Sequence, residues 1–131
     1  MMALIRDGEV IVVKVPAALS TSASSTELVS SAITCLTKAF LTTSVSNYPG
    51  YWFCGSYQYF TSEHLIVVIF IAGHDSDSLF TGGGFDEDFL IRELQAYLEE
   101  AVYDYLSLLG ESPSLEACAG ITVENHVSSA N

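Results

Sequence analysis

The residues best suited to chemistry lie in one stretch, His74-Asp75-Ser76-Asp77, which places an imidazole and two carboxylates within four positions. Metal-binding loops use such spacing. A calcium loop, however, needs further oxygen ligands and a Glu at its twelfth position. Counted from Asp75 that position is Asp86, and Leu79 and Phe80 between them carry no ligating atom. The stretch therefore reads as a turn rich in side chain-to-backbone hydrogen bonds, and neither a metal nor a cofactor is expected. His64 and His126 are far away in sequence and could join it only through folding. Cys35, Cys54 and Cys118 are odd in number, with no C-x-x-C pair. They read as reduced, buried small hydrophobes. Gly55-Ser56 lacks the flanking G-x-S-x-G frame of a nucleophile elbow. Gly82-Gly83-Gly84 has the look of an anion cradle at a helix start. Asp86, Glu87 and Asp88 follow it directly, and no Lys or Arg occurs until Arg92. Phosphate would be repelled there, so the glycines read as a hinge, and no enzyme is expected.

The elements that must carry these residues follow from periodicity. Val10 to Val15 is a β-branched run ending at Pro16, with Asp7-Gly8 as a hairpin turn before it. Ser24-x-x-Glu27 fits a capping box. Leu28, Ala32, Ile33, Leu36, Ala39 and Phe40 then recur at helical spacing until about Ser44. Tyr51 to Phe60 and His64 to Ala72 read as strands joined by Thr61-Ser62-Glu63. Asp86 is placed to cap a second helix, with Phe85 and Leu90 as a hydrophobic staple, and Gly110 and Pro113 to end it. Leu115 to Glu124 alternates cleanly and reads as a last strand.

Strand, helix, strand, strand, helix, strand is the order of a ferredoxin-like β-α-β-β-α-β domain. That fold is α+β, a two-layer sandwich of a four-stranded antiparallel sheet with two helices on one face. Its middle strands are the first and third, and those are the two continuous aliphatic runs here, whereas the second and fourth are more polar. A length of 131 residues fits one domain, residues 1–131, with 128–131 as a tail. The first stretch, with Arg6, Asp7 and Glu9, lacks a signal-peptide layout. The longest apolar run, Leu65 to Ala72, is eight residues, against the roughly 20 that span a bilayer. A cytoplasmic protein is expected.

Charge is the most unusual feature. Sixteen acids face four bases, a net charge of −12, which opposes direct nucleic-acid or anionic-membrane binding. The acids are unevenly placed, with four against three bases in residues 1–64 but twelve against Arg92 alone in residues 65–131. On a helical wheel Leu90, Leu94, Tyr97, Leu98, Ala101, Tyr105 and Leu108 turn inward. Asp86, Glu93, Glu100, Asp104 and Glu111 then fall near one outer line. A merely solvating helix mixes Glu with Lys at i,i+4, whereas Glu100 and Asp104 are like charges at that spacing.

A second surface is aromatic. In an ideal strand Tyr51, Phe53, Tyr57 and Tyr59 share one face, opposite Trp52, Cys54, Ser56, Gln58 and Phe60. Aromatics on an open sheet make a contact or homodimer face.

These features together predict a non-enzymatic acidic protein-binding module. Its partner would be a basic protein, one that normally handles nucleic acid, and the module would act as an inhibitor or decoy in place of phosphates. Small acidic inhibitors from phages and mobile elements, including anti-CRISPR and anti-restriction proteins, are similar in size, charge and lack of catalytic motifs. That likeness is one of type and rests on no shared motif. The competing reading is a self-assembling structural subunit, a virion or scaffold component joined through its open sheet. A small enzyme centred on His74 ranks behind both.

Overall fold

A computed structural model describes residues 9–19, 23–43, 51–73 and 87–127 of the chain. The protein is α+β. Strand β1 (Glu9–Pro16) leads through a 3-10 turn (Ala17–Leu19) to helix α1 (Ala23–Thr43). Strands β2 (Tyr51–Phe60) and β3 (His64–Gly73) form a hairpin, and helix α2 (Glu87–Leu108) follows. A short helix α3 (Leu115–Ala119) precedes strand β4 (Thr122–Val127).

The four strands form one sheet in the order β2-β3-β1-β4, with every neighbouring pair antiparallel. The aliphatic runs β1 and β3 are thus central, where both faces are covered or half-covered, and the mixed strands β2 and β4 are edges. The register fixes which residues share a face. Ile11 lies opposite Ile69, Val13 opposite Val67 and Val15 opposite Leu65. These residues join one core with Val29, Ala32, Ile33, Phe40 and Leu41 of α1 and Leu90, Leu94, Leu98, Val102 and Leu106 of α2. Helix α1 packs against β2, β3 and α2, where the Phe40 and Tyr97 rings lie 5.2 Å apart, and α2 packs on β4.

Several sequence expectations change at this level. Leu115 to Ala119 is a helical turn rather than the start of the last strand. The Ser114 hydroxyl accepts the Ala117 N–H at 3.1 Å, the N-cap geometry that a run of alternating small residues does not reveal. Gly120 closes the turn, and a Cβ there would sit 2.9 Å from Pro16 Cγ, so this close approach requires glycine. Ser24 lies inside the first turn of α1 instead of ahead of it, since the helix already includes Ala23. The capping box therefore does not start the helix. Leu108 was expected to face inward but is 85% exposed. The buried residues of α2 follow the i,i+4 ridge from Leu90 to Leu106, and that ridge winds about 40° per step around the axis. By the last turn the inward side has rotated away from Leu108.

The Asp7-Gly8 turn, the 74–86 stretch with its His, Asp and Gly residues, and the 128–131 tail lie outside the described residues.

Candidate functional site

The acidic row is built on α2. Glu93, Glu100 and Asp104 are all exposed. At roughly 100° per residue their directions fall within about 40° of one another. Their spacing along the axis is about 10 Å and then about 6 Å. The inward ridge of Leu94, Leu98 and Val102, each fully buried, locks the helix rotation and so holds the three carboxylates outward. None of the three pairs with a cation among the described residues.

Of the three cations among those residues, Arg92 is exposed on α2 itself, one position before Glu93, and the two lysines contact other groups. Lys14 Nζ pairs with Glu124 across the sheet at 3.1 Å. Lys38 Nζ stands 5.3 Å from the centre of the Phe53 ring, a cation–π arrangement. It belongs to a row of contacts between α1 and β2 at i,i+4 spacing. Ser30 Oγ donates to Gln58 Oε1, and the Thr34 and Ser56 hydroxyls meet at 3.3 Å. Neither lysine reaches the α2 carboxylates, and Arg6 lies outside the described residues.

The row is shorter than the sequence suggested. Glu111 is exposed but does not continue the helical line, because α2 ends in a Schellman motif before it. The Glu111 N–H donates to Leu106 O and the Gly110 N–H to Ser107 O, each at 3.0 Å, with Gly110 at φ 88°. Asp86 lies outside the described residues. Glu99, next to the row, is half-buried and accepts a hydrogen bond from Gln95 Nε2 at 3.3 Å.

The aromatic face is also rearranged. A β-bulge at Cys54 lets Phe53 pair with Ile71 and Gly55 with Phe70, so the alternation of β2 reverses there. Phe53 turns to the core side with Ser56 and Gln58, whereas Tyr57 and Tyr59 stand on the other face, opposite Val68 and Ile66. The expected shared face of Phe53, Tyr57 and Tyr59 is therefore split, and the side chain of Tyr51 lies outside the described residues. Tyr57 stacks on Tyr59 with ring centres 6.2 Å apart and lies 5.8 Å from the Phe70 ring.

The thiols differ from the expected buried set. All three are free, but only Cys118 is buried, while Cys35 lies on the outer side of α1 and Cys54 is the extra residue of the bulge. Burial pushes the Cys118 and Cys54 thiols above their ordinary range. Among the described residues no three of His, Cys, Asp or Glu gather in a way that could hold a metal ion. His64, half-buried at the start of β3, lies across from Pro16. His126 in β4 lies across from Val10. A pocket of about 140 Å³ opens between the 3-10 turn, the start of α1 and the 111–114 loop. Its lining is Ala18, Leu19, Leu28, Val29, Leu106 and Pro113 with the polar Glu111, Ser112 and Ser114, and the Ser114 hydroxyl is the one that caps α3.

Among the described residues no helix is long and apolar enough to cross a membrane. Compared with protein-family models, curated proteins and solved structures, the chain matches none.

Proposed function

We propose that this protein is a non-enzymatic binding module that engages a cationic protein surface through the carboxylates of α2. The observation that carries this reading is the alignment of Glu93, Glu100 and Asp104, exposed and without an ion pair among the described residues, while Lys14 and Lys38 contact other groups. Glu111 follows just past the helix cap, and Asp86, expected at the other end, lies outside the described residues. A net charge of −12 would steer such a partner in over a Debye length of about 8 Å. The favoured partner is a basic protein that handles nucleic acid, whose Lys and Arg side chains the carboxylates would occupy in place of phosphates. The module would then act as an inhibitor or decoy, of the same type as the small acidic anti-CRISPR and anti-restriction proteins.

The scaffold behind this reading is the ferredoxin-like two-layer arrangement, with both helices on one side of the sheet. The order β2-β3-β1-β4 and the single core shared by α1 and α2 support it.

The experiment is capture from an extract of the source organism on immobilised protein, with wild type and the Glu100→Lys/Asp104→Lys variant side by side. A basic protein retained by wild type in low salt, released in moderate salt and never retained by the variant supports the proposal. Equal retention by the two proteins refutes it.

A further inference from the structure

The face of the sheet turned away from the core carries its own hydrophobic surface. The register places Val10, Val12, Ile66, Val68 and Phe70 on it, beside Tyr57 and Tyr59. Ile66 and Val68 are buried although they lie outside the core, and in the register they stand opposite Tyr59 and Tyr57. Those rings remain open, with Tyr57 53%, Tyr59 46% and Phe70 37% exposed. Exposed aromatics grouped over buried aliphatics on one face are the anatomy of an interaction surface.

We propose that this face binds a second copy of the chain, sheet against sheet. The charge distribution selects that occupant. Among the described side chains the charges on this face are Lys14 and Glu124, and they neutralise each other at 3.1 Å. A two-fold interface brings each patch against itself, so it must be self-complementary. A neutral aromatic face meets that condition. The carboxylate side of a molecule of charge −12 does not. Sheet-on-sheet packing also directs the α2 carboxylates of the two copies to opposite ends of the dimer, where their repulsion is least.

The sheet edges favour the face over edge-to-edge pairing. The outward N–H of Val123 on edge strand β4 is taken by Gln95 Oε1 at 2.9 Å, and edge strand β2 is interrupted by its bulge at Cys54. The size fits a weak dimer. Four strands about 4.8 Å apart, each rising about 3.3 Å per residue, give a face of roughly 19 by 26 Å, about 500 Å² per partner. That lies below the roughly 800 Å² per partner of a standard interface, in the range of weak, reversible association. The self-association surface is independent of the carboxylate row, so either proposal stands if the other fails.

Sedimentation equilibrium from about 1 µM to about 200 µM tests it. Wild type is expected to reach twice the monomer mass and to associate more tightly at high salt, where apolar burial is favoured and residual repulsion is screened. Tyr59→Lys and, separately, Phe70→Thr are expected to weaken association at least about tenfold with an unchanged circular-dichroism spectrum. Hydroxyl-radical footprinting of wild type supplies a readout that needs no variant. Tyr57 and Tyr59 should be labelled at low concentration and protected at high concentration. A monomer throughout the range overturns the proposal, whether because another segment of the chain or nothing at all covers the face. So does a dimer in which these tyrosines stay labelled or both folded variants still associate.

Discussion

The amide of Gln95 uses both of its ends. Its Oε1 accepts the edge N–H of Val123 and its Nε2 donates to Glu99, so one side chain ties α2 to β4 and orients a half-buried carboxylate beside the exposed row. Gln95→Ala leaves the Val123 N–H without that partner and is expected to cost about 1 kcal/mol. The loss would be read as a lower urea midpoint, with faster hydrogen exchange at Val123. Thr37 presents the reverse case. It is fully buried on α1, and its Oγ1 has no hydrogen-bond partner among the described residues. Thr37→Val keeps the shape and removes an unsatisfied hydroxyl, so the variant is expected to gain roughly 1 kcal/mol in the same unfolding assay. Neither role was legible in the sequence. Gln95 has the composition of any exposed helical position, and its importance arises from the edge N–H of a strand 28 residues away. Thr37 sits in the apolar stripe without belonging to its chemistry.

At the scale of elements, strands β1 and β3 were legible because short, β-branched-rich apolar runs bounded by breakers such as Pro16 and Gly73 favour a strand buried in the middle of a sheet. The end of α2 was legible because Gly110 supplies the positive φ that its Schellman motif requires. The bulge in β2 and the helical turn at Leu115–Ala119 were hidden. Both break a two-residue alternation that the side chains continue to spell. One slipped residue at Cys54 is enough to move Phe53 to the face opposite Tyr57 and Tyr59. The candidate site was partly legible for the same kind of reason. A helical period places Glu93, Glu100 and Asp104 in line wherever the helix runs, but it overruns the helix end at Glu111. Helix α2 has no basic residue in its last turn, and Glu100 and Asp104 repel at i,i+4. Asp104→Lys is therefore expected to stabilise the folded protein, by about 0.5 kcal/mol at low ionic strength, with the gain fading as salt is added. A thermal-unfolding series in salt measures it. A stability gain accompanied by loss of partner capture would show that the aspartate is retained for binding.

For the whole molecule, two properties combine. The fold places its described lysines in contacts with Glu124 and Phe53 and leaves Glu93, Glu100 and Asp104 of α2 exposed, which separates an anionic helical side from a neutral aromatic sheet face. Two of the thiols add a pH dependence. Folding raises the pKa of Cys118 and Cys54, so the folded state holds these protons more tightly than the unfolded chain. Their contribution is fully present below the ordinary thiol range and is lost as pH rises through the folded values. The urea midpoint should therefore fall on the alkaline side of that range. Serine substitution at both positions should flatten that decline.

The most direct test of the central claim is the salt dependence of binding between this protein and a basic protein retained in the proposed capture experiment, measured for wild type and for Glu100→Lys/Asp104→Lys. The account predicts wild-type affinity that drops steeply as ionic strength rises, and no measurable binding by the charge-reversed variant despite its intact fold. Affinity indifferent to salt and equal for the two proteins would contradict it, because the carboxylates of α2 would then have no part in recognition.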